Sequence, residues 1–326
     1  MQSKNERPAH RPFCPAVICS WYVLFLVFSC GGATCAPRRK LLSELQPPRV
    51  FSGVPTLDEV AAHINHSLAV ESLSSATVII SSPELVANLA GNLKWRRTHD
   101  FSLVAHPAVS RMLGTALAAG SNEEMFWMQL QQPSPTLYFA RYDQFESQLG
   151  PRRILPFSPL WLREALGVVE LDMSLQHQGP VVRPDGKLEL VSYIPLRRGI
   201  YQRVLVIAPN SGVIEETYIK DQTGRLVAAA QLAEHEFYPE ISWSLPHRVQ
   251  IQLYPDEGPD LAFTMDIDKY SINSSTVIQA DAFVPPNSVG LTTVDLVQLN
   301  AGHANATQSP AYRTTEAQAI GFSRFR

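Results

Sequence analysis

Cysteine is missing from the body of this chain. All four cysteines (Cys14, Cys19, Cys30 and Cys35) fall within the first 35 residues. Everything downstream can therefore form no internal disulfide, no thiolate metal site and no cysteine nucleophile. Charge is also sparse, at 17% of residues with a formal net charge of −3. That balance argues against a general nucleic-acid binder, which needs a basic surface to neutralise phosphates. The body has no G-x-S-x-G elbow, no P-loop, no glycine-rich dinucleotide fingerprint and no H-E-x-x-H. No solenoid or propeller repeat is present. These absences point away from an enzyme, a cofactor or a resident metal.

The N-terminus reads as an export signal. Lys4, Arg7 and Arg11 form a positive segment, followed by an apolar run from Ala16 to Phe28. The run ends in Val27-Phe28-Ser29-Cys30-Gly31-Gly32. In bacterial lipoproteins an aliphatic residue at −3 and a small residue at −1 precede an acylated cysteine, and Val27 and Ser29 resemble that arrangement. Cys30 is thus the lipidation candidate, with Cys35 second. Phe28 fits the middle position poorly, and no charge occurs between Arg11 and Arg38. An uncleaved anchor stays open beside the cleaved lipoprotein. The divisions expected are a signal peptide over 1–29, a tether over 30–55, a folded domain over 56–299 and a disordered tail over 300–326.

Within the domain, Thr56 followed by Glu59 forms a capping box. Leu57, Val60, Ala61, Ile64 and Leu68 then recur at helical spacing, predicting an amphipathic helix of about four turns. After it the period changes to two. ATVIIS, GNLKWRR, DFSLVAH, NEEMFWMQL and TLYFAR read as short strands. Ser158-Pro159 and Gly167 punctuate a second helix. The second half is a run of hairpins with turns at Pro184-Asp185-Gly186, Asn210-Ser211-Gly212, Asp221–Gly224 and Pro255–Pro259. Leu261, Phe263, Met265 and Ile267 alternate with Ala262, Thr264, Asp266 and Asp268, so one sheet face is buried and the other wet. Roughly ten strands without βαβ alternation predict an α+β fold: a large curled antiparallel β-sheet, an incomplete barrel, wrapped around a few helices.

Several local features have plain structural readings. His63 and His66 could pair on one helix face, but no third metal ligand is suggested. Asp256–Asp260 is turn-like and departs from an EF-hand loop. Asn65, Asn273 and Asn305 each head an Asn-x-Ser/Thr triplet. Lys94-Trp95-Arg96-Arg97 reads as a strand with Trp95 inward and its basic neighbours outward.

The curled sheet also has many bulky, adaptable apolar side chains for its centre. Phe101, Phe126, Trp127, Met128 and Leu160 belong to this set, as do Trp161, Leu162, Trp243, Phe263 and Met265. They can fill a closed core or line an open cavity suited to an acyl chain, and both readings stand at this point.

The order of elements resembles the LolA/LolB-type lipoprotein carriers: signal, amphipathic helix, antiparallel meander, helical insertion, further meander. Leu89–His106, Gly120–Leu130, Leu245–Asn273 and Ile278–Val289 are similar in texture to that family's strands and closing segment. The resemblance spans about Leu57 to Leu299 and implies an incomplete barrel around a hydrophobic cavity, with acyl chains or lipoproteins as ligands and no catalysis. It further implies a cell-envelope location facing the periplasm, with membrane attachment through the lipid anchor. A closed half-barrel acting as a scaffold for a protein partner is the alternative.

Overall fold

The computed structural model describes residues 46–131, 134–147, 155–156, 158–274, 278 and 280–299. The cysteines, the expected signal and the expected disordered tail lie outside them.

The domain opens as the capping box predicts. Helix α1 (Leu57–Ile64) starts at Thr56, whose Oγ accepts from the Glu59 amide at 3.3 Å, while the Thr56 amide donates to Glu59 Oε2 at 2.7 Å. Its buried stripe is Val60, Ala61 and Ile64. The α-helix is shorter than the periodicity suggests. It gives way at Asn65 to a 3-10 turn, Asn65–Ala69, whose polar side chains are used elsewhere.

Six strands follow in a meander: β1 (Ser72–Ser81), β2 (Leu89–Arg96), β3 (Asp100–Pro107), β4 (Leu117–Ser121), β5 (Met125–Leu130) and β6 (Thr136–Arg141). Helix α2 (Tyr142–Ser147) and, after Ser158-capped Pro159–Trp161, helix α3 (Leu162–Ala165) lead across to the second meander. This comprises β7 (Gln176–Val182), β8 (Leu188–Leu196), β9 (Gly199–Ile207), β10 (Ile214–Lys220), β11 (Leu226–Tyr238), β12 (Trp243–Leu253) and β13 (Leu261–Ile267). The short β14 (Ser271–Ile272) pairs with β1, and β15 (Thr292–Asp295) runs parallel to β6.

Among the described residues these make one fifteen-stranded sheet in the order β15-β6-β5-β4-β3-β2-β1-β13-β12-β11-β10-β9-β8-β7. The sheet is not closed: β15 and β7 are its two edges. Apart from β15, every ladder is antiparallel, as the meander pattern predicts, but the strands are more numerous than the roughly ten expected. The glycine turns lie where anticipated, with Gly186, Gly212 and Gly224 all at positive φ.

Period-two alternation and the register fix which side chains share a face. Trp95 opposes Phe101, Leu93 opposes Leu103, Val78 opposes Ile267, Met265 opposes Val249, and Ile251 opposes Ala230. One apolar face thus runs across the sheet from β6 to β8. Lys94, Arg96, Arg248 and Asp266 project from the other face. Trp95 is buried, with its basic neighbours outward as read from the sequence.

The segment expected to be a tether is not wholly unpacked. Phe51 is only 7% exposed, and the Val50 and Phe51 amides both donate to the Asn210 carbonyl at 2.7 and 3.1 Å.

Candidate functional site

The apolar face is covered by α1 and by a strap formed from residues 158–171. Leu166, Val168, Val169 and Leu171 of this strap are buried in the main core with Val60, Ile64, Leu205 and Val249. The strap is not a strand of the sheet. Polar side chains hold its backbone instead.

Asn65 and Ser67, two residues apart on the turn after α1, grip Leu171 and Val169, also two residues apart. Asn65 Nδ2 donates to the Leu171 carbonyl at 3.1 Å, and Asn65 Oδ1 accepts from the Leu171 amide at 2.8 Å. Ser67 Oγ donates to the Val169 carbonyl and accepts from the Val169 amide at 3.1 Å. From the sheet side, the Trp243 indole donates to the Gly167 carbonyl at 2.9 Å. Arg203, on β9, reaches up to the strap at two points. Its guanidinium donates to Glu164 Oε1 at 2.8 Å and to the Glu170 carbonyl at 3.0 Å. This ion pair is buried, yet Glu164 Oε2 and Arg203 Nε have no hydrogen-bond partner among the described residues.

Other polar groups of the domain have structural roles. His177 bridges Ser192 Oγ and the Asp172 carbonyl, each at 2.9 Å. Ser192 is fully buried, and this pair ties the edge strand β7 to β8. His63 packs against Phe51, Gly212 and Trp243, and burial pulls its imidazole below the usual histidine range. Further along β12, the Tyr238 hydroxyl meets His247 Nε2 at 2.9 Å, and the Tyr270 hydroxyl donates to the Pro246 carbonyl at 2.8 Å. Burial pushes both phenols up, which keeps them protonated. Among the described residues no group of three or more His, Cys, Asp or Glu is arranged to hold a metal.

The apolar residues singled out in the sequence separate into distinct places. Trp161, Trp243 and Met265 belong to the main core, with Phe101, Leu162 and Phe263 packed against it. Phe126 lies in a smaller cluster with Tyr138, Tyr142, Phe145 and Leu296, and Met128 and Leu160 pack there. Leu155 touches both clusters. Trp127 is on the opposite sheet face, in register with Gly120 and Phe139, and its indole lies over Gly120. Sequence reading gave Ser67 and Arg203 no role and Asn65 only that of a triplet's first residue. Two of the Asn-x-Ser/Thr triplets have structural asparagines. Asn273 accepts from the Glu71 and Ser72 amides at 2.7 and 3.0 Å and donates to the Ala69 carbonyl at 2.7 Å. Asn65 is the strap grip, and Asn305 lies outside the described residues.

The chain is similar to several solved structures at low sequence identity. A LolA superfamily protein from Nitrosomonas europaea is 10% identical, with 71% of this chain and 98% of that chain covered and a TM-score of 0.43. A domain assigned by name to outer membrane lipoprotein sorting, from Vibrio parahaemolyticus, is 14% identical over 69% of this chain and 94% of that chain, with a TM-score of 0.44. A DUF1329 family protein from Desulfovibrio piger is 15% identical over 69% and 97% respectively, with a TM-score of 0.43. No family model matches the sequence, nor does any curated protein.

Proposed function

We propose that this protein is a non-catalytic cell-envelope protein, exported by its N-terminal signal and anchored through acylated Cys30. On this reading it receives an acyl chain, free or on a lipoprotein, between the apolar sheet face and the 158–171 strap. The observation that carries the reading is how the strap is held. It covers the main apolar core, yet side chains rather than a strand ladder bind it. Displacing it therefore breaks no strand pairing, and an acyl chain would replace the apolar contacts that Leu166, Val168 and Leu171 now make. The incompletely satisfied Arg203–Glu164 pair lowers the cost of release further.

Native mass spectrometry after gentle extraction tests this. Bound lipid is expected on the wild-type chain, and Asn65→Ala should increase uptake by loosening the strap. A chain that carries no lipid and whose Asn65→Ala variant takes up none would refute the reading. Anchoring is tested separately: Cys30→Ser should lose the mass of the acyl modification and the globomycin sensitivity of processing.

A second reading is favoured by the tight filling of the same face, where Val60, Ile64, Val169 and Leu205 are fully buried. A permanently closed half-barrel would serve as a scaffold for a protein partner. Crosslinking in intact cells that captures one stoichiometric protein, together with lipid-free mass spectra, would select it.

A further inference from the structure

The β8–β9 hairpin ends in Leu196-Arg197-Arg198-Gly199-Ile200. Its two arginines have different fates. Arg198 turns back and pairs with Asp256 at 3.0 Å. Asp256 also pairs with Arg225, which in turn meets Asp221 at 3.1 Å. The Gln222 side chain lies against Gly199, whose φ of +132° suits it to this tight tip. The hairpin is thus braced from behind by the β10–β11 and β12–β13 turns. Around the tip Arg198, Arg225, Asp221 and Asp256 line a shallow polar cleft of about 70 Å³, in which their charges balance.

This bracing leaves one cation and two aliphatic side chains outward. Arg197 is exposed and has no hydrogen-bond or ion-pair partner among the described residues. Leu196 and Ile200 flank it, 49% and 55% exposed. Register places Pro195 opposite Ile200 and Leu196 opposite Gly199, so the two aliphatics project from opposite sides of the tip. A rigid turn with a free guanidinium between two aliphatic side chains matches the membrane interface. There the cation meets lipid phosphates and the aliphatics reach the acyl boundary.

We propose that the Leu196–Ile200 hairpin tip is a docking point for an anionic lipid surface, separate from the strap-covered face. It does not depend on acyl-chain uptake. Each arginine near an anionic bilayer contributes about 1 kcal/mol, so removing Arg197 should weaken tip engagement about five-fold.

Hydrogen–deuterium exchange on the full chain reads the tip directly, whatever the N-terminal anchor contributes. Vesicles containing phosphatidylglycerol should slow exchange in the peptide covering 196–201, and neutral phosphatidylcholine vesicles should not. Arg197→Gln should remove most of that protection, and Leu196→Ser with Ile200→Ser should remove the rest. Three outcomes would overturn the proposal: no protection of this peptide while the chain is vesicle-bound, equal protection on neutral vesicles, or protection indifferent to Arg197→Gln. The exposed loop carrying Val109, Met112 and Leu113 serves as an internal comparison. Protection there alone would place membrane contact elsewhere and also sink the proposal.

Discussion

Asn65 satisfies both backbone groups of Leu171, donating to its carbonyl at 3.1 Å and accepting from its amide at 2.8 Å. A residue 106 positions away is held as a neighbouring strand would hold it, by one side chain. Leu171 is 2% exposed. Asn65→Ala should therefore strand a donor and an acceptor in the core and cost about 2–3 kcal/mol, measured as a lower urea midpoint with unchanged slope. Asn65→Asp keeps the acceptor but sets a carboxylate oxygen against the Leu171 carbonyl, so it should not restore the wild-type midpoint.

Arg203 and Glu164 should behave as a coupled pair. Arg203→Met leaves a buried carboxylate facing apolar surroundings and should destabilise by about 3–5 kcal/mol. Adding Glu164→Leu should recover most of that loss. A double-mutant cycle with near-zero coupling would show that the 2.8 Å contact does not hold the strap.

Stability should fall in mild acid because of His235. Its Nε2 lies 3.0 Å from the Ile214 carbonyl, and burial, the largest influence, pulls the imidazole from 6.5 to about 4. Between those values the unfolded chain binds a proton that the folded chain does not. The neutral ring's contribution is thus fully present above about pH 6.5 and is lost as pH falls toward 4, a change of about 2–3 kcal/mol. Urea midpoints across this window should flatten in His235→Gln. His63, shifted the same way, will leave a residual slope.

Two glycines should respond differently to alanine. A Cβ on Gly91 would collide with the Val104 carbonyl oxygen and come within 2.9 Å of Ala105 Cα, both fixed by the β2–β3 ladder. At Gly120 it would meet the Trp127 ring at 2.5 Å, a side chain that can move. Gly91→Ala should cost more than about 2 kcal/mol and Gly120→Ala less. Only Gly120→Ala should change the near-ultraviolet dichroism of Trp127 while the fold is retained.

Local pattern revealed much of this molecule. The Thr56–Glu59 capping box, the inward Trp95 and the alternation from Leu261 to Ile267 were readable because each depends on neighbours within a few residues. Phe126, Trp127 and Met128 are consecutive residues of β5. Consecutive strand residues face opposite ways, so Trp127 cannot share a lining with the other two. The α-helix ends at Ile64 rather than continuing because Asn65 and Ser67 are drawn to Leu171 and Val169. Arg203 is a single arginine within the strand sequence Tyr201–Ile207. Neither the helix stop nor the reach of Arg203 to the strap has a local signal, since both depend on partners brought together only by the completed sheet.

The middle of the sheet has a kinetic consequence. Strands β2 to β6 follow β1 by successive turns, and β7 to β13 form a second local meander. The β1–β13 ladder, Val78 opposite Ile267 through Ser81 opposite Thr264, stitches the two together from distant parts of the chain. Each meander can zip up from its own hairpins, whereas this stitch must wait for a long loop to close. Refolding should accordingly show early hairpin protection in both halves and a slower step in which Val78–Ile80 and Met265–Ile267 become protected together.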